Sequence, residues 1–125
     1  AMNLLESANH GLEFCLGSWS EMGVDIHEVI DYFGPMGKLT YVHFQTVSGP
    51  IPVFHEIFID QPGHYDPVAV LKHLKHIGCT GMIMPGHVPK VVGDGPWKER
   101  SRAYTIGYIK GILASLNQNQ THSRS

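Results

Sequence analysis

The chain has few cysteines, little charge and no long apolar run, and each shortage excludes something. Only Cys15 and Cys79 are present among 125 residues, with no CxxC spacing. They fall near opposite ends of separate predicted strands, too far apart for a disulfide, so both thiols suit reducing surroundings. Charged residues make up 16% of the chain and the formal net charge is -2, with no basic stripe to serve as a footprint for DNA or RNA. No apolar run approaches the roughly 20 residues that cross a bilayer, and the start of the chain lacks the segments of a signal peptide. The sequence therefore reads as cytoplasmic, without nucleic-acid or membrane partners. Ala1 ahead of Met2 reads as an expression scar, with Met2 as the native start.

What is present is a pattern of alternating strand-like and helix-like segments, 42% hydrophobic overall. Strands are predicted over residues 11–15, 38–44 and 81–84. A helix near 25–33 carries Ile26, Val29, Ile30 and Phe33 at amphipathic spacing, with Gly34 as its stop. Asp66 and Pro67 announce a second helix, whose apolar face is Val68, Val70, Leu71, Leu74 and Ile77 and whose end is Gly78. A third runs from about Glu99 to Leu116. Residues 1–10 read as an N-terminal segment, 11–116 as the domain, and 117–125 as a polar tail too hydrophilic to order itself. The long connection from Gln45 to Tyr65 has the length of a binding loop or lid, with Phe54 to Ile59 as an additional strand within it. Three βα units alone are a poor domain, because parallel strands need both faces covered. The architecture reads as part of a larger barrel, or as a subunit that completes its sheet by association.

Three of the apolar runs end on a residue able to bind a metal or polarise a substrate: Cys15, His43 and His87. On parallel strands these converge at one rim, where α/β sheets and barrels build their sites. Each also has a structural reading: Cys15 as a small buried hydrophobe, His43 as a core histidine bonded to a carbonyl, His87 as a solvated turn residue, and His55-Glu56 as an exposed loop pair. His73 and His76, spaced i, i+3 near a helix C-terminus, lie at the wrong rim for catalysis and read as structural.

Gly11-Leu12-Glu13-Phe14-Cys15-Leu16-Gly17, Val42-His43-Phe44-Gln45, Phe54-His55-Glu56, Pro85-Gly86-His87 and the stretch from Arg102 through Gly107-Tyr108-Ile109-Lys110-Gly111 together resemble the C-terminal third of mannonate dehydratases. That family consists of metal-dependent (β/α)8 TIM-barrel lyases related in fold to xylose isomerase. The resemblance implies a partial TIM barrel, about the last three βα units, completed by association into a homo-oligomer through its exposed sheet edges. It implies dehydration of D-mannonate or a related sugar acid to a 2-keto-3-deoxy sugar acid. A proton α to a carboxylate is weakly acidic, so such chemistry needs stabilisation of an enediolate and an acid for the departing hydroxyl. It further implies Cys15 and His43 as ligands of a divalent metal, Mn2+ first and Fe2+, Ni2+ or Zn2+ as alternatives. His87 becomes the proton-transfer residue, and His55, Glu56 and Arg102 become substrate contacts.

The sequence also departs from the family. Where mannonate dehydratases read Arg-Pro-Asp-His, this chain reads Met84-Pro85-Gly86-His87, without the arginine or the ligand aspartate. Candidates to compensate are His55 and Glu56, with Asp60, His64 and Asp94 behind them. Two competing readings follow. One is a non-catalytic barrel fragment acting as a binding or association domain. The other is a sugar isomerase or epimerase on the same barrel, which the lack of a Glu/Asp-rich ligand set disfavours.

Overall fold

Alternation of apolar and polar residues builds the sheet, and short amphipathic helices cover one side of it. The structure, a computed structural model, describes residues 11–124, with side chains through residue 118; the expected N-terminal segment 1–10 and Ser125 lie outside them. Strands β1 (Leu12–Cys15), β2 (Leu39–Phe44) and β3 (Met82–Pro85) form one parallel sheet in the order β1-β2-β3. After β1 come helices α1 (Leu16–Glu21) and α2 (Ile26–Phe33), after β2 comes α3 (Pro67–His76), and after β3 comes α4 (Glu99–Arg124).

The register contains one irregularity. Leu12 stands opposite Leu39 and Glu13 opposite Tyr41, so Thr40 is an extra residue that bulges from β2. The bulge resets the two-residue period and lets both Leu39 and Val42 face the helices, while Thr40 is exposed. Glycines flank it on both sides. A Cβ on Gly81 would lie 2.8 Å from the backbone of Leu39 and Thr40, and one on Gly11 would lie 2.3 Å from Thr40 Cγ2. The core gathers Phe14, Val42 and Phe44 from the sheet with Ile30 of α2, Leu71 of α3 and Ile109 of α4. The opposite face carries Glu13, Cys15, Tyr41, His43, Met82 and Met84, with Met82 65% exposed.

Several boundaries differ from expectation. The Gly17-Ser18-Trp19-Ser20 stretch is helical, because burial of Leu16, Gly17 and Ser20, and a 2.7 Å bond from Ser20 Oγ to the Leu16 carbonyl, outweigh the low helix propensity of its small residues. Gly34 caps α2 after Phe33, as expected, but it stays right-handed at φ -56°, so a 3-10 turn continues over Gly34–Met36 and Gly37, at φ +66°, makes the left-handed exit. Phe54 to Ile59 is not a strand. It holds a single antiparallel bridge, Val47 with Glu56, flanked by 3.0 Å bonds from Ser48 N to His55 O and from Ile57 N to Thr46 O. The polar tail continues α4 to Arg124 rather than stopping at Leu116, since no Gly or Pro interrupts it and Lys75 of α3 bonds the Asn117 side chain. Asp25 and Asp66 cap α2 and α3 through their side chains, and the two thiols are free and lie near opposite ends of the sheet, Cys79 bonding the Leu39 carbonyl. Among the described residues no helix is long and apolar enough to cross a membrane.

The first turn of α4 is held by Asp94, which accepts from the N–H groups of Arg100 and Ser101. Partial desolvation works against its charge, but bonds from Ser101 Oγ and from the backbone N–H groups of Val91, Arg100 and Ser101 outweigh it and hold the carboxyl down at about 2. Those bonds favour the ionised form, so their stabilisation is present above the usual carboxylate range of about 4 and is lost as pH falls through about 2.

Two outcomes are expected. Gly81→Ala destabilises by about 1–3 kcal/mol in urea unfolding, because its methyl group meets backbone that cannot yield. Asp94→Ala lowers the thermal midpoint at neutral pH, and the gap to the unsubstituted chain closes between about pH 4 and pH 2; a gap unchanged across that range would show that the charge is not involved.

Candidate active site at the strand ends

Parallel pairing brings the predicted rim together. Cys15 ends β1 directly opposite His43 of β2, and His43 in turn pairs with Met84 of β3. Neighbouring strands lie about 4.8 Å apart, so side chains on one face at one level are neighbours. Met84 accepts from the Tyr41 hydroxyl. Beyond the strand ends lies a cavity of about 530 Å³, whose lining includes Cys15, His43, Glu56, His87 and Arg102. Gln45, Ser18 and Glu21 complete its polar wall.

Two carboxylate–histidine pairs stand at this rim. Glu13 Oε1 lies 3.0 Å from His43 Nδ1, and Glu56 Oε1 lies 3.0 Å from His87 Nδ1. The Cys15 thiol points to Gln45 Oε1 at 3.6 Å. Gln45 is buried, and it fits because Gly17 and Gly86 leave room: a Cβ on Gly17 would sit 2.4 Å from its side chain. Below it the Tyr65 hydroxyl donates to the Gln45 carbonyl at 2.7 Å. Burial pushes the Tyr65 phenol well above its ordinary value, more than the bond to Thr46 lowers it, so it remains a neutral donor. Arg102 is anchored by Nε to the Trp97 carbonyl at 2.9 Å and by Nη1 to that of Pro85 at 3.5 Å, which sets its guanidinium against the cavity.

Of the residues singled out in the sequence, His55 does not join this lining. Its backbone N–H donates to Ser48 Oγ at 3.1 Å and its ring stands 3.4 Å from the same oxygen. The compensating Cys/His/His/Glu set is therefore not assembled. His64 is held by the Val24 carbonyl at 2.8 Å, Asp60 lies with Phe58 and Tyr104 in a different pocket, and Asp94 is occupied at the start of α4. Other partners thus engage all three, Tyr104 in the case of Asp60. His73 bonds Asp31 and His27 across the α2–α3 interface, in keeping with a structural part. Glu13 and Gln45 were not predicted as members of the site. Glu13 was discoverable, because it precedes Cys15 by two residues and strand alternation puts both on one face.

The donors suit half of a divalent metal site. A thiolate and an imidazole on adjacent strands are a compatible pair, and the contact of Glu13 with Nδ1 leaves the His43 Nε2 edge as the ligand position. Among the described residues, however, no group of three or more His, Cys, Asp or Glu is arranged to hold an ion. Gly86 contributes no side chain, although a Cβ there would lie 3.6 Å from that of His43. The described residues thus bring two candidate donors together here, short of the number that structural and catalytic sites use.

Comparison with known proteins shows the family of the chain. The sequence profile of the D-mannonate dehydratase (UxuA) family matches residues 1–123. Mannonate dehydratase 2 of Halalkalibacterium halodurans is 31% identical over 127 aligned positions, which cover 93% of this chain and 35% of that protein. The mannonate dehydratase of Thermotoga maritima is 29% identical over 128 positions, covering 94% of this chain and 34% of that one. The crystal structure of mannonate dehydratase from Streptococcus suis serotype 2 superposes with a TM-score of 0.73 at 22% identity, over 92% of this chain and 36% of that one, and shares its fold. The chain spans about a third of the length of the relatives it matches. With its profile match running over nearly every residue, the chain belongs to the D-mannonate dehydratase (UxuA) family.

Proposed function

We propose that this chain carries one rim of a mannonate-dehydratase-like hydro-lyase acting on D-mannonate or a related sugar acid. The observation that supports it most is that Cys15, His43, Glu56, His87 and Arg102 line one cavity beyond the C-terminal ends of parallel strands. Arg102 is suited to hold the substrate carboxylate, because its backbone anchors fix the plane of a guanidinium that matches a carboxylate in geometry. His87 is suited to move a proton, since its Nε2 is not engaged by Glu56. In the reaction the C2–H and C3–O bonds break, the departing hydroxyl takes a proton to leave as water, and the enol that remains becomes the 2-keto acid. A divalent ion, Mn2+ first among those considered, would stabilise the negative charge developing on the carboxylate, with Cys15 and His43 among its ligands.

The architecture belongs to the same proposal. Sequential strand order with every helix on one face is the winding of a (β/α)8 barrel, whereas a doubly wound sheet reverses its order and covers both faces. The open face and the free edges of β1 and β3 are then the places where further strands complete the wall, from a second copy or from a longer polypeptide containing this stretch. Gly86 supports a second reading, a rim that binds sugar acids without turning them over, because the position beside His43 bears no side chain.

Calorimetric titration with Mn2+ tests the ligand assignment. One ion per chain is expected, lost in Cys15→Ala and in His43→Ala, and bound about tenfold more tightly or better in Gly86→Asp, where a carboxylate joins the pair. Uptake unaffected by either loss overturns the assignment. Formation of a 2-keto acid from D-mannonate then separates the two readings, since the non-catalytic one requires that none appear while the sugar acid still binds.

A further inference from the structure

We infer that Glu56 is a positioning residue for His87, holding its neutral imidazole in the Nδ1–H tautomer so that Nε2 meets the cavity as a proton acceptor. The inference deepens the reading of this rim as a dehydratase site and assigns Glu56 a part other than substrate contact. A carboxylate only accepts, so the 3.0 Å contact between Glu56 Oε1 and His87 Nδ1 requires the proton on Nδ1. Neutral imidazole in water prefers the opposite form, with the proton on Nε2, and the contact therefore reverses the default.

Among the described residues Glu56 is the hydrogen-bond partner of the His87 ring. The His87 side chain is 76% exposed and lies two residues past the end of β3, so packing does not orient the ring. Glu56 is the better held partner: its side chain is 28% exposed and its backbone forms the bridge to Val47. The bridge pins the returning arm of the long connection against residues just past β2, which brings a loop carboxylate to a histidine 31 positions later in the chain. The same device stands at His43, whose Nδ1 faces Glu13 at 3.0 Å. Both imidazoles at the rim thus turn their Nε2 edges away from their carboxylates, one pair anchored on a strand and the other on a loop.

Nitrogen-15 spectra of the imidazoles, recorded on the whole chain at about pH 8, where ordinary histidines are neutral, read the tautomer directly. His87→Gln assigns the signal. A pyrrole-like Nδ1 and pyridine-like Nε2 are expected for His87, reverting to the Nε2–H pattern in Glu56→Ala and retained in Glu56→Gln, whose amide oxygen still accepts. The remaining histidine signals report whether each variant is folded. An Nε2–H pattern in the unsubstituted chain, or an unchanged pattern in folded Glu56→Ala, overturns the inference. If the chain dehydrates a sugar acid, Glu56→Ala lowers kcat about 10- to 100-fold with little change in KM. A tautomer switch in a chain that turns over no sugar acid sinks the dehydratase reading and leaves the positioning assignment standing.

Discussion

Cys15, His43 and Met84 stand side by side because three short strands pair in parallel at one register, and that register depends on how β2 accommodates Thr40. Without the bulge, strand alternation would put Leu39 and Val42 on opposite faces. With it, both enter the helix-side core, while Tyr41 and His43 remain on the open face beside Glu13 and Cys15. Gly11 and Gly81 belong to the same device, since a side chain at either position would meet Thr40 or the backbone next to it. The placement of the rim therefore traces back to backbone packing at the far end of the strands.

One-sided packing is the second consequence. Every helix contributes to a single apolar cluster, and the face opposite it holds carboxylate, thiol, imidazole and thioether groups, which a hydrophobic core would reject. A parallel sheet with one bare face is an unusual free-standing object. In a barrel the same face is the interior wall, and its mixture of polar and sulfur-bearing side chains is what a site at the strand ends is built upon. The family relationship and the third of a relative's length that this chain spans fit that picture.

The long connection after β2 supplies Gln45, Phe54 and Glu56 to the cavity wall, beside Cys15, His43, Met84 and Pro85 of the strands. Gln45 turns inward under the rim, held below by Tyr65 and admitted by two glycines, and the returning arm then delivers Glu56 to His87. Gly86 serves two ends here. It leaves space for Gln45, whose Cβ lies 3.3 Å from where a Cβ would be, and it leaves the position beside His43 without a side chain. Among the described residues the rim therefore carries two carboxylate–histidine pairs and a guanidinium, but no group of three or more ligating side chains arranged around an ion.

Much of this was legible in the residues. Alternation marked the three strands, Asp25, Asp66 and Pro67 marked the starts of α2 and α3, and Cys15 and His43 were readable as neighbours because strand ends converge whatever the remainder of the chain does. Other features were not. The helix α1 is hidden by Gly and Ser, the extension of α4 depends on contacts such as that between Lys75 and Asn117, and the loss of His55 to Ser48 depends on a bridge between residues 9 apart. Periodicity and capping are local properties of the backbone, so the sequence by itself determined the three strands, the helices α2 and α3, the start of α4, and Cys15 as the end of β1. The partners of the two rim histidines are side chains 30 and 31 positions away, so only the tertiary structure decided that His43 faces Glu13 and His87 faces Glu56.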